Sequence, residues 1–156
     1  MKAKLAALLA SMTVIVPAYA AEIRVEGAQM SRDFTCEDGQ DVEISGAGHK
    51  VVLTGRCGAV SVHGADHVVS FETASEIAVS GIANTVEGGT TGGLVVETAK
   101  NKVKATVKAA ETARIDVSGA EETRELTRPG PTQSEVQGAK NAVAWSAEAG
   151  VKAPSV

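Results

Sequence analysis

The chain has 156 residues, with 19 acidic against 15 basic side chains and a net charge of −4. Nucleic-acid binding needs a basic surface, so this balance excludes DNA and RNA as expected partners. Aromatic residues make up 3% of the chain, which excludes a core of large aromatic side chains, and the length allows one domain.

Residues 1–20 predict a secretory signal peptide. Lys2 and Lys4 give a basic start, residues 5–16 form an apolar run, and the sequence AYA ending at Ala20 is a small-x-small cleavage site. The apolar run is shorter than a membrane span. We therefore expect cleavage after Ala20. The product should be soluble, should be secreted to the periplasm and should have no membrane span.

A pattern of about 18 residues recurs from Ile23 to Trp145, which marks a repeat architecture. It reads apolar-x-apolar-x-Gly-x-x-(Asn/His)-x-Val. The apolar alternation predicts a short half-buried strand, the glycine predicts a turn, and a second short strand follows. Seven units can be aligned, starting at Ile23, Val42, Val60, Ile77, Leu94, Ile115 and Ser134.

The repeat predicts an all-β fold, a short parallel β-solenoid (β-helix-like) of about seven 17–21-residue coils. It should span residues 21–146, after the cleaved signal peptide and before a flexible tail at 147–156. The alternative is an antiparallel sandwich of short hairpins, since even strand spacing fits that fold too. Like residues at equivalent positions favour the solenoid.

The seventh place after each unit start predicts a structural ladder of polar side chains that bond backbone groups at the bend. Met30 and Glu122 hold this place in the first and sixth units, which match the pattern least well. Phe34, Phe71 and Trp145 share another repeat position and predict a stacked core row rather than a ligand platform. The ladder residues are His49, His67, Asn84, Asn101 and Asn141.

Cys36 and Cys57 lie in the loops that close the first and second units. Stacked coils would bring them together, and an oxidising compartment favours a disulfide. Metal thiolates are the alternative, but no CxxC pair is present. Farther along, residues 121–135 turn polar around Pro129-Gly130-Pro131, which predicts a loop or bulge between coils.

The stretch 42–89 resembles a secreted bacterial family known as domain of unknown function 3060, whose pattern is repeated Gly-x-x-Asn-x-Val with an early cysteine pair. The resemblance covers roughly 35–145 and departs from the pattern at Thr98 and at 121–124. It implies a fold and a compartment, and no catalytic residue. The matching residues are Gly46/His49/Val51, Gly64/His67/Val69, Gly81/Asn84/Val86, Gly138/Asn141/Val143, Cys36 and Cys57.

His49, His67 and the outward His63 form a candidate transition-metal cluster, with Asp66 or Glu43 nearby. The competing interpretation is that histidine replaces asparagine at a turn and bonds the backbone. We favour the latter, so no metal or other cofactor is expected.

No catalytic constellation is evident. The glycine-rich stretch 88–93 lacks the lysine of a nucleotide site, and nucleophile elbows and phosphate loops are absent. A polysaccharide enzyme needs clustered carboxylates. Those of this chain are scattered over outward positions: Glu43, Asp66, Glu72, Glu76 and Glu97.

Two surfaces could bind partners. Lys100, Lys102, Lys104 and Lys108 alternate on one outward face and could meet an anionic polymer, although flanking glutamates favour a solvated face. The solenoid ends expose strand edges that could pair with a second chain, end to end.

We expect a non-enzymatic secreted structural or binding module of the bacterial cell envelope, with an envelope glycan or a protein as partner. The alternative is a small periplasmic polysaccharide-active or transition-metal-binding protein.

Overall fold

The computed structural model describes residues 21–108, 112–128 and 132–147. The expected signal peptide and residues 148–156 of the expected tail lie outside these ranges and stay predictions. Among the described residues, no helix has the length and hydropathy to cross a membrane. The strands are β1 (Ile23–Ala28), β2 (Ser31–Ala47), β3 (Lys50–Ala65), β4 (Val68–Ile82), β5 (Thr85–Ala99), β6 (Lys102–Val107), β7 (Ala113–Ala120), β8 (Thr123–Arg128), β9 (Thr132–Ala139) and β10 (Ala142–Ala147).

The strands wind as a parallel β-solenoid, which confirms the predicted fold. Every pairing among the described strands is parallel, so the antiparallel sandwich is wrong. The predicted unit starts stack in one column, and we number coils one to seven by them. Seven stacked rows make about six turns, or roughly 30 Å along the axis. The column is Ile23, Val42, Val60, Ile77, Leu94, Ile115 and Ser134.

Each coil bends at the repeated glycine. Gly64 has φ +124°, and a Cβ there would overlap the carbonyl oxygen of Gly46 in the preceding coil. The position therefore requires glycine both for its left-handed backbone and for the close approach of the coils. Coil five has Thr98 instead, at φ +90°. The Thr98 hydroxyl accepts the N–H of Gly81 at 3.2 Å, at a point where the backbone pairing between β4 and β5 is interrupted.

Inward side chains of successive coils stack into apolar rows that fill the rod. Val62, Val79 and Val96 form part of one such row and are at most 1% exposed. Phe71 belongs to another row, and its ring covers Gly88, where a Cβ would overlap ring carbons. Trp145 is in register with Leu126 of the same row, but its side chain lies outside the described part of the structure.

The predicted disulfide is confirmed. Cys36 and Cys57 are bonded, their Cα atoms are 5.0 Å apart, and both are buried. Cys57 begins a third inward row that continues through Ala74, Thr91 and Val107. The bond therefore joins coils one and two from within the core.

The prediction of a loop or bulge over 121–135 is wrong for most of that stretch. Residues from Thr123 to Arg128 form β8, and those from Thr132 form β9; only 129–131 lie outside the described ranges. Residues 121–126 alternate between exposed and buried positions like those of the other coils. Backbone pairing with neighbouring coils outweighs the local polarity, because β8 pairs with β6 and β10, and β9 pairs with β7. The strand β10 also continues to Ala147, the first residue of the expected tail.

Candidate functional site

The predicted ladder residues stack along one corner of the rod. Each accepts the backbone N–H of the ladder position one coil earlier: His67 N–H donates to Asn84 Oδ1 at 3.0 Å, and Asn84 N–H donates to Asn101 Oδ1 at 3.0 Å. The Asn84 amide also donates to the carbonyls of Gly64 and Ser80. The coil-seven member does the same, since Asn141 Oδ1 accepts the N–H of Glu122 at 3.2 Å. These side chains satisfy backbone groups where the chain turns and strand pairing stops.

His49 and His67 occupy the same ladder with their rings stacked at a centroid distance of 5.0 Å. Nδ1 of His67 accepts the His49 N–H at 3.1 Å, and Nε2 of His67 lies 3.1 Å from the carbonyl of His63. A carbonyl only accepts, so Nε2 is the protonated nitrogen of a neutral ring. Burial lowers the pKa of His67 from its ordinary value near 6.5. A metal at this stack would have to displace these backbone bonds.

His63 lies on the outer surface, apart from the stacked pair. Its Nδ1 is 2.6 Å from the Ser80 hydroxyl oxygen of the next coil. Over the ranges described, no group of three or more histidine, cysteine, aspartate or glutamate residues is arranged to hold a metal ion.

The lysine face is interleaved with acidic residues of the next coil. Lys104 Nζ lies 3.1 Å from a carboxylate oxygen of Glu125, and Lys100 Nζ lies 3.9 Å from one of Glu121. Lys102, between Lys100 and Lys104 in the chain, is exposed. The positive charge that could meet an anionic polymer is therefore partly neutralised by glutamates of the same chain.

The scattered carboxylates have different environments. Glu43 lies 3.4 Å from the Arg24 guanidinium, and a Glu72 oxygen accepts the backbone N–H of Gly55 at 2.7 Å. Glu76 lines a cleft.

That cleft, of about 460 Å³, opens between Glu76 on one side and Arg114 with Asp116 on the other. Glu76, Gly93 and Arg114 are in register in coils three to five, so the backbones of Glu76 and Arg114 lie about 10 Å apart with a glycine between them. The Arg114 guanidinium lies 3.6 Å from Asp116. The missing side chain at Gly93 creates the cleft, which sequence spacing alone did not reveal.

A second, more open cleft of about 540 Å³ lies at the Gly88 end of the stretch 88–93. It is lined by Phe71, Glu72, Glu87 and Lys104, with the backbone of Gly88 and Gly89 as its floor. The glycine-rich stretch is thus part of β5, with a cleft at each of its ends.

Coil six contains a buried ion pair that was not predicted from the sequence. Glu122 and Arg124 have no exposed side-chain surface, and their charged groups are 3.3 Å apart. Three nitrogens of Arg124 and one oxygen of Glu122 have no hydrogen-bond partner. Burial raises the pKa of Glu122 and lowers the pKa of Arg124. The signal was present, because five of the other six units hold Asn or His at the place of Glu122 and Val at the place of Arg124.

The repeat geometry has a counterpart among known protein families. Residues 44–101 match a family model described as a protein of unknown function. That family is DUF3060. The match confirms the resemblance over coils two to five and includes four ladder residues together with Cys57; Cys36 and Asn141 lie beyond it. No curated protein and no solved structure matches the chain.

Proposed function

We propose that this DUF3060-containing protein is a non-enzymatic, secreted structural or binding module of the bacterial cell envelope. Its proposed ligand is an envelope glycan held in the cleft beside Gly93. The leader-like residues 1–20 support secretion. The Cys36–Cys57 bond supports an oxidising compartment such as the periplasm.

The cleft is the observation on which this proposal rests. Glu76 and Asp116 offer acceptors, Arg114 offers several donors in a planar fork, and Ser75 and Thr112 add hydroxyls. Glycan hydroxyls both donate and accept, so this mixture suits a sugar better than an apolar ligand. The ladder polar groups, by contrast, bond the backbone within the rod and are not available to a ligand.

A test of the proposal fills the cleft without disturbing the fold. A Cβ at Gly93 would make only ordinary contacts, 3.6 Å from the Arg114 carbonyl oxygen and 3.7 Å from Glu76 Cγ. We therefore expect Gly93→Val and Arg114→Ala to weaken binding of soluble envelope glycan fragments at least tenfold, measured by calorimetry. Lys102→Ala, which removes a cation on another face, should leave binding unchanged.

Two outcomes would contradict the proposal. One is the absence of binding to any glycan fraction by the folded protein. The other is binding that survives Gly93→Val but is lost in Lys102→Ala, which would place an anionic ligand on the lysine face.

The same cleft favours one second candidate, a polysaccharide-active enzyme, because Glu76 and Asp116 are two carboxylates at one cleft. Such an enzyme would release reducing ends from an envelope polysaccharide. Glu76→Gln and Asp116→Asn would each abolish that release, whereas a binding module would release none. Equal release by wild type and both variants would point to a contaminating hydrolase.

A further inference from the structure

The corner hydrogen bonds between coils form two continuous series. In the first, the sixth-place N–H of one coil donates to the fifth-place carbonyl of the next, from Gln29 to Ala47 at 2.8 Å through Glu121 to Ala139 at 3.1 Å. In the second, the eighth-place N–H donates back to the seventh-place carbonyl of the preceding coil. Ala142 to Glu122 at 2.8 Å is its last member. Every junction between coils repeats both bonds.

The two ends of the rod expose opposite halves of these series. Coil seven presents the N–H of Lys140 and the carbonyl of Asn141, while coil one presents the carbonyl of Ala28 and the N–H of Ser31. Among the described strands, β1 pairs only with β2, β9 only with β7, and β10 only with β8. The backbone donor at each end thus matches the backbone acceptor at the other end.

The side chains at the ends are also complementary if the register continues. Coil one of a second copy would then place Arg24 beside Glu135 and Val25 over Val136. Val136 is 46% exposed, whereas its equivalents in coils one to six are at most 2% exposed. Glu135 faces Asp116 in the adjacent coil, a like-charge neighbour that a following arginine would offset.

Gly27 removes the steric obstacle to such stacking. A Cβ at Gly46, Gly64 or Gly138 would overlap a carbonyl of the preceding coil, but a Cβ at Gly27 would meet nothing within 4 Å. The open side of Gly27 is where the Gly138 carbonyl of another copy would approach.

We propose that the mature protein stacks head to tail, with coil seven of one copy pairing in register with coil one of a second copy. Met30 holds the ladder place of coil one and offers no oxygen or ring nitrogen to the N–H of Asn141. The junction therefore lacks the ladder bond of the internal junctions and is weaker than they are, so the association is reversible. This assembly goes beyond the glycan-binding proposal and does not use its cleft.

Analytical ultracentrifugation of the processed chain, expected to begin at Ala21, tests the assembly by charge exchange. We expect the weight-average mass to rise with concentration from the micromolar to the millimolar range. Arg24→Glu and Glu135→Arg should each reduce the association constant at least tenfold, and the double variant should restore it. Glu87→Arg, the same charge change in a central coil, should have no effect.

Gly27→Ala provides a second, uncharged test. Its methyl group touches nothing in its own chain but would overlap the stacked copy, so the variant should stay folded by circular dichroism and lose association. A wild-type protein that remains monomeric at every concentration would overturn the proposal. So would growth that is insensitive to Gly27→Ala, or growth that appears only after residues 148–156 are removed, since that segment would then be the natural cover of the end.

Discussion

At the scale of single residues, two kinds of residue do most to define this rod. Glycine at the fourth place lets successive coils approach so closely that a Cβ there would overlap a backbone carbonyl of the preceding coil. Asparagine or histidine at the seventh place bonds backbone groups that the turn removes from the sheet. Both roles follow from local geometry that every coil repeats, and for that reason both could be predicted from the pattern.

The first residue-scale prediction separates backbone strain from steric overlap. Gly64→Ala should lower the free energy of unfolding by about 3 kcal/mol or more, because it combines a strained φ with overlap of the Gly46 carbonyl. Gly27→Ala has a similar φ of +112° but open space, so it should cost only about 1 kcal/mol. Urea denaturation at low protein concentration measures both. Equal losses would show that overlap contributes nothing.

The second residue-scale prediction concerns the stability of the protein at acid pH. Burial lowers the pKa of His67 in the folded state, so below about pH 6.5 the unfolded chain binds a proton more readily. Stability should therefore fall as the pH drops from 6.5 through the folded pKa. His67→Asn, which installs the residue of coils four and five, should flatten this dependence, whereas the exposed His63→Asn should not. An unchanged slope in His67→Asn would contradict the assignment.

At the scale of elements, coil six shows how stacking overrides local sequence. Polar residues around 121–135 predicted a loop, yet β8 and β9 pair in register with their neighbours. Glu122 is turned into the ladder corner and Arg124 into the apolar row between Val103 and Val143. The coil retains its shape at the cost of burying two charges with incomplete hydrogen bonding.

This cost can be measured. Arg124→Val alone should destabilise the protein by about 3–5 kcal/mol, because it leaves Glu122 buried without its partner. Glu122→Asn combined with Arg124→Val restores the residue types of the other coils and should stabilise the protein by about 1–4 kcal/mol relative to wild type. Chemical denaturation of both variants decides. A double variant less stable than wild type would mean that the ion pair is a net contributor.

At the scale of the whole molecule, the described strands pair from one coil to the next, so stability is approximately a sum over junctions between coils. Coil one has a single neighbour among the described residues, and the Cys36–Cys57 bond ties it to coil two. The opposite end has no equivalent bond within the described ranges. Within the described ranges, a disulfide thus links neighbouring coils at one end of the rod and not at the other.

Removing the disulfide should destabilise mainly the coils that it joins. Cys36→Ser with Cys57→Ser should lower the free energy of unfolding by about 3 kcal/mol on a chain-entropy model. Amide hydrogen exchange should accelerate mainly in coils one and two, while coils four and five keep their protection. Reduced wild-type protein is the matched control. An unchanged exchange pattern would show that the disulfide does not limit opening of the first coils.

Sequence alone determined the period, the parallel solenoid, the ladder and the cysteine pairing. Each of these depends on a requirement that recurs in every coil, such as a positive φ, an inward apolar side chain or a bend that needs capping. A recurring requirement leaves a recurring residue, as at Gly46, Gly64 and Gly81.

Tertiary structure alone decided the rest. The cleft exists because Gly93 lies in register between Glu76 and Arg114, and the ion pair exists because Glu122 and Arg124 fall on inward rows. The complementary ends depend in turn on what faces Gly27 and Val136. These features involve single residues from different coils, and only the three-dimensional register determines which of those residues become neighbours.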